Sequence, residues 1–149
     1  MGDLPAPARA LLADERGMTA CLAGRYGDPV GLRVLARVHQ GTRYARQVVL
    51  TAGDDGRALA LAAVELDLDR VPPDVRTGVL AERVPLGALL AAAAPAFRRV
   101  VAATFRVRRD AVLADALDPA APPWCHGRRT LLLAPGSRLA ATMIEVVPL

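Results

Sequence analysis

The sequence predicts an α+β domain: about six mostly antiparallel strands with short helices packed on one side. Three observations carry that prediction. Gly53-Asp54-Asp55-Gly56 and Pro135-Gly136 are turn signals set between apolar runs. Pro presets φ at the first turn position and Gly accepts the positive φ that follows, so each reads as a reversal between strands. Residues 29–39 alternate with a period of two, the mark of a strand. The helical patterns are short and set off by prolines or turn residues, so helices decorate a sheet rather than form a bundle.

Taken in order, residues 1–7 read as a flexible lead-in. Ala8 to Ala13 fits a short helix burying Leu11 and Leu12, and Asp14 to Gly17 caps or breaks it. Met18 to Leu22 fits either a further helical turn or a loop crossing the sheet. In the first strand Val30, Leu32, Val34, Ala36 and Val38 share one face, and Arg33 and Arg37 the other. Gln40 to Thr42 turns the chain into a second strand, Arg43 to Thr51. After the Gly53–Gly56 turn, Arg57 to Leu68 makes a third, completing a meander in which Glu65, Asp67 and Asp69 lie on a solvated face.

Val71-Pro72-Pro73-Asp74 breaks that strand, and Asp74 is placed to cap a helix running to about Ala81. Pro85 opens an alanine-rich helix, Leu86 to Ala94, that is apolar all round and therefore expected to be buried or sandwiched. Phe97 to Val107 is the fourth strand, and Asp110 to Leu117 a short helix. The last hairpin has arms Arg128 to Ala134 and Arg138 to Val147, both apolar enough to expect cover on each face. Arg128 and Arg129 must point to opposite faces, so at most one of them looks inward. His39 reads as a strand-end residue and His126 as a loop residue.

Length and composition bound the function. The 149 residues fit one domain, and a hydrophobic fraction of 53% supplies a core that aromatics, at 3%, hardly contribute to. The formal charge is +4 and every Lys/Arg position is Arg. These arginines are scattered among apolar residues without interleaved aromatics, which fits a small anionic ligand better than nucleic acid. Cys21 and Cys125 are far apart, and the adjacent Cys125-His126 is poor geometry for a tetrahedral site, so no metal and no cofactor is expected. No signal peptide or membrane span is read, which implies a cytoplasmic protein. The oligomeric state is not legible.

Several pieces recur in the order found in a known family: Leu11-Leu12 followed by Met18-Thr19; Arg43-Tyr44 and Arg46 leading into Val48-Val49-Leu50; Asp69-Arg70-Val71-Pro72; Val84-Pro85-Leu86-Gly87; and Trp124 with Gly127-Arg128-Arg129 before the terminal hairpin. Over nearly its full length the chain resembles the chorismate pyruvate-lyases (4-hydroxybenzoate synthases), whose UTRA-like fold is shared with effector-binding domains of some transcription regulators. The resemblance implies a six-stranded sheet with helical flaps enclosing a ligand pocket. It implies that Arg46 holds a ring carboxylate with help from backbone amides at Met18 and Leu86, that Arg128 is a candidate for a second carboxylate, and that Trp124 stands at the entrance. The family's last strand carries a Thr-Glu pair, which here falls on Thr142-Met143. Glu145 lies two residues on, about 6.6 Å along a strand.

Three readings follow. The first is a lyase that eliminates pyruvate from chorismate to give a hydroxybenzoate, with Arg46 and Glu145 as catalytic candidates and Arg46, Met18, Leu86, Arg128 and Met143 binding substrate. The second is a repurposed enzyme on the same fold that positions a larger apolar carboxylate. The third is a non-catalytic small-molecule-binding module.

Overall fold

The computed structural model describes residues 4–14, 16–27, 29–53, 56–93, 97–117 and 120–149. Among these residues six strands form one open antiparallel sheet: β1 (Val30–Gln40), β2 (Arg43–Ala52), β3 (Ala58–Asp67), β4 (Arg98–Arg108), β5 (Trp124–Ala134) and β6 (Arg138–Val147), in the order β1-β2-β3-β6-β5-β4. Five short helices accompany it: α1 (Ala6–Leu12), α2 (Met18–Tyr26), α3 (Pro73–Ala81), α4 (Leu86–Ala93) and α5 (Ala111–Ala116). The predicted α+β class is the observed one. The order arises from two meanders, β1-β2-β3 and β4-β5-β6, joined where β3 pairs with β6.

The turn chemistry places the strands as expected. Gly136 has φ +79 and closes the β5–β6 hairpin. Residues 54 and 55 of the predicted Gly53–Gly56 turn lie outside the described residues, but the strands that flank it pair. Several expectations need correction. In β1 the register shifts between Val34 and Ala36. The extra residue flips the remainder of the strand, so Ala36 and Val38 share the face of Gln47 while Arg37 comes to stand opposite Arg46. Helix α3 starts at Pro73, with Pro72 in the N-cap position and Asp74 already inside the first turn. Pro at the first helical position needs no N–H partner, which lets the helix begin two residues early. Strand β5 extends back to Trp124, so His126 is a buried strand residue whose Nδ1 meets the Leu149 carbonyl. Met18 opens a full helix rather than a loop.

Helices α1 to α4 cover one face of the sheet and α5 part of the other. One core joins α1 and α2 to Val48, Leu50, Ala60, Ala62 and Val147. A second joins α3 and α4 to Tyr44, Val64, Leu66, Leu132 and Met143. The third packs α5 on Val49, Leu61, Cys125 and Val146 of the opposite face. Because α5 covers one end of that face only, Ile144 and Val38 stay exposed, and the terminal hairpin is not covered on both sides throughout. Helix α4 is likewise packed through Leu86 and Leu90 while Ala91 and Ala92 face outward. Alanine methyls bury so little area that their exposure costs almost nothing.

Candidate functional site

The register gives the rows of side chains beneath the helices. One row reads Arg37, Arg46, Val64, Met143, Thr130, Val101 from β1 to β4. The next reads Val34, Val48, Ala62, Glu145, Arg128, Thr104. On the other side of the first lies His39, Tyr44, Leu66, Ala141, Leu132, Arg99. The polar residues of these rows fall into two groups at opposite ends of the sheet.

At the β1–β2 end the polar groups hold α3. Arg46 is 4% exposed and its Nη1 donates to the Val79 carbonyl at 3.2 Å. Tyr44 Oη donates to Glu82 Oε1 at 2.8 Å, and Arg37 pairs with the same carboxylate. Glu82 closes α3 in the left-handed region, φ 57. The Arg37 guanidinium, and then the Tyr44 phenol, hold the Glu82 carboxyl below its ordinary range. Burial, reinforced by Glu82, pushes the Tyr44 phenol up. A carbonyl at a helix C-terminus is a natural partner for a cation, so Arg46 clamps α3 onto the sheet.

At the β5–β6 end lies a different constellation. Arg128 is 1% exposed, and its Nε donates to Glu145 Oε2 at 2.6 Å. Its Nη1 donates to the carbonyls of Leu12 (3.1 Å) and Asp14 (2.8 Å), fixing the connection between α1 and α2. Arg129, as expected from the strand period, faces away and is exposed. Thr130 is 1% exposed, and among the described residues its Oγ1 has no hydrogen-bond partner. Met143 sits beside it and Glu145 one row on.

A residue that the sequence did not single out completes the group. Arg99 reaches from β4 to the starts of two helices. A Cβ on Gly17, the N-cap of α2, would lie 2.8 Å from Arg99 Cζ; a Cβ on Gly87, in the first turn of α4, would lie 2.8 Å from Thr19 Oγ1 and 3.7 Å from Arg99 Nη2. A Cβ at either position would push these side chains aside, and Gly17 with φ +100 favours glycine for its backbone as well. The only hydrogen bond of the Arg99 side chain among the described residues is Nη1 to the Arg16 carbonyl, 3.1 Å. Burial holds its pKa below the ordinary arginine value; Glu145 acts against that shift, and the neighbouring Arg128 with it. The signal was present in the sequence, because Arg98-Arg99 obeys the same alternation as Arg128-Arg129.

Of the predicted set, Arg128 and Glu145 pair, Leu86 and Met143 share one core and Met18 lies in the neighbouring one, with Met18 and Leu86 as the first residues of α2 and α4. Arg46 stands apart. It is three strands from Arg128, about 14 Å across the sheet at ordinary strand spacing, with its guanidinium on α3. Trp124 is 42% exposed at the start of β5, stacked with the Arg106 guanidinium. A groove of about 360 Å³ lies on the far face, lined by Ala36, Val38, Ala45, Ala63 and Ile144. It is open and mostly apolar; Arg37, Arg46, Gln47, Glu65 and Thr142 also line it, whereas Arg99, Arg128, Thr130, Met143 and Glu145 do not.

The fold is that of a class of regulator domains. The chain superposes on PhnF from Mycobacterium smegmatis with a TM-score of 0.63 at 18% identity, covering 88% of this chain and 63% of that one. The effector domain of PhnF alone gives 0.59 at 15% identity, covering 88% and 87%. The ligand-binding domain of a putative GntR-family transcriptional regulator from Bordetella bronchiseptica gives 0.55 at 11%, covering 80% and 86%. The chain therefore has the UTRA-like fold of such effector domains, and spans 63% of the length of the longer PhnF chain. No protein-family model and no curated protein matches the sequence. No helix among the described residues is long and apolar enough to cross a membrane.

Proposed function

We propose that the protein is a small-molecule-binding domain that takes an anionic ligand between the sheet and the starts of α2 and α4, without turning it over. The observation that carries this reading is an excess of positive charge beside a buried polar group. Buried Arg128 and half-buried Arg99 act on one carboxylate, Glu145, and the buried Thr130 hydroxyl has no partner among the described residues. A partly covered cation in excess attracts an anion, and an unpartnered buried hydroxyl costs about 1–3 kcal/mol. A bound anion with a hydrogen-bonding group relieves both. The fold shared with the PhnF effector domain and the Bordetella bronchiseptica ligand-binding domain supports the same reading at the level of architecture.

The ion pair also favours binding over catalysis. Proton transfer needs a group free to reach the reacting atom. Glu145 is already engaged by Arg128 at 2.6 Å, and its neighbour at the family's glutamate position is the thioether of Met143, which donates no proton. The lyase reading keeps one observation of its own: Glu145 does face the helices from the last strand. One experiment separates the two. Thermal shift with a library of small carboxylates should show stabilisation of about 5–10 °C at 100-fold excess over Kd, while chorismate incubated with the protein releases no pyruvate in a coupled assay. Catalytic pyruvate release would establish the lyase instead. A library that stabilises nothing would remove the binding reading.

A further inference from the structure

We infer that the face of the sheet turned away from α1 to α4 docks a second copy of this chain, sheet against sheet. The register gives its side chains. One row runs Ala36, Gln47, Ala63, Ile144, Arg129, Ala103 from β1 to β4, and the next Val38, Ala45, Glu65, Thr142, Leu131, Val100. Val38 is 60% and Ile144 42% exposed, and Ala36, Ala63 and Ala103 are open as well. Helix α5 shields only the end beyond these rows, where it packs on Val49, Leu61 and Val146. With the bordering row that holds Arg43, Asp67 and Leu133, the open face measures about 29 Å across the strands and about 20 Å along them, or about 500–600 Å². A mostly apolar patch of that size is at the upper end for a monomer and marks an interaction surface.

Area, charge and the sheet edges name the occupant. Two such faces bury about 1,000–1,200 Å² together, which reaches the size of a specific interface. Over the inner strands the patch sets Arg43 and Arg129 against Glu65 and Asp67, so it selects neither an acidic nor a basic partner and does not repel its own copy. The sheet edges are closed to a further strand: β1 and β4 each carry a register shift in mid-strand, and Arg33, Arg37, Arg98, Arg106 and Arg108 line them. The copy must therefore come to the face, and the alanines there let two sheets approach to about 10 Å. Helix α5 decides the direction. It stands too tall to share that gap with its own mate, so the two α5 helices lie at opposite ends, each beyond the turns of the other sheet. The row from Val38 to Val100 then lies along the twofold axis and packs on itself, Leu131 on Leu131 and Val38 on Val38. Glu65 of each copy comes within reach of Arg43 of the other, the residue it already pairs with in its own chain.

The test is sedimentation equilibrium of the full chain between about 1 and about 300 μM, where an interface near the lower size limit should give a dimer with a dissociation constant on the order of 10 μM. Val38→Asp and Ile144→Asp should each weaken the dimer at least about tenfold. Leu80→Asp, at an exposed apolar position of α3 on the opposite side of the sheet, should leave it within about twofold. Circular dichroism verifies that each variant is folded. A nitroxide on Val112→Cys of α5, in an equal mixture with isotope-labelled wild type, should bleach the Gly41 and Gly136 amide signals of the partner, which lie at the turn end of its sheet. A chain that stays monomeric throughout overturns the inference, and so does a dimer that both aspartate variants leave intact. Bleaching of the Leu61 amide in place of Gly41 and Gly136 overturns the head-to-tail arrangement. The inference uses the face opposite the proposed ligand site, so it stands or falls apart from the binding reading.

Discussion

Replacing Thr130 by Val should make the free protein more stable and the liganded protein weaker. Thr130 is 1% exposed, sits in the middle of β5 and leaves Oγ1 without a partner among the described residues. Valine has the same branched shape and a high preference for strands, so the backbone and neighbouring packing need not move. The change removes the desolvation penalty of the hydroxyl, about 1–3 kcal/mol, and adds burial of one methyl, about 0.8 kcal/mol. A net gain near 2 kcal/mol raises Tm by roughly 5 °C for a domain of this size. Urea unfolding measures it directly: the midpoint should rise with no change in slope, because the same surface is exposed. In parallel, a ligand that hydrogen-bonds Thr130 should bind Thr130→Val several-fold more weakly. A buried threonine whose hydroxyl is satisfied behaves in the opposite way and loses about 1 kcal/mol on the same substitution. A lower or unchanged urea midpoint would therefore refute the reasoning, by showing that the hydroxyl is not in need of a partner.

Three further outcomes follow from the same geometry. Arg128→Met should cost about 3–5 kcal/mol, because Glu145 is left buried and unpaired, whereas Arg128→Met with Glu145→Met should recover much of that loss; additive losses in urea unfolding would contradict the pairing. Gly87→Ala should loosen α2 from α4, since the new Cβ would stand 2.8 Å from Thr19 Oγ1; the expected loss is about 1–3 kcal/mol, with the Thr19 amide signal displaced. Burial and then the Asp14 carboxylate push the Cys21 thiol from 9.0 up to about 11. The folded state then holds its proton more tightly than the unfolded state does. Its stabilising contribution is complete below about pH 9 and lost as pH rises toward 11, so Cys21→Ala should show a shallower alkaline decline than wild type. Iodoacetamide should label native Cys21 slowly at pH 8.

What the sequence disclosed was local. The β5–β6 hairpin followed from Pro135-Gly136 because turn chemistry acts within four residues. The opposite directions of Arg128 and Arg129 followed from the strand period. Met18 and Leu86 were found through resemblance and do open two helices that pack together. The features that escaped depend on distant parts of the chain. Arg99 gains its importance only when β4 lies beside β5 and two helix starts are brought over it, which the alternation of Arg98-Arg99 by itself does not convey. The bulge after Val34 has no signature in an alternating run, yet it moves Arg37 to the face of Arg46 and so gives Glu82 its partner. His126 reads as a loop residue when the arm is taken to begin at Arg128, whereas β5 and the Leu149 carbonyl enclose it.

The junction of β3 with β6 has a consequence for the order of folding. Each meander closes through neighbours in sequence, but Leu61 pairs with Val146 and Leu66 with Ala141. Joining them closes a long loop, and such contacts form late because their entropy must be overcome before any contact rewards it. Arg99, Thr130, Arg128, Met143 and Glu145 all belong to the β4-β5-β6 meander, whereas α2, whose start meets Arg99, precedes β1. The anion site is therefore completed only when the two halves close on each other. A ligand present during refolding should leave the folding rate almost unchanged and slow unfolding, acting as a fastener across the junction rather than as a template for it.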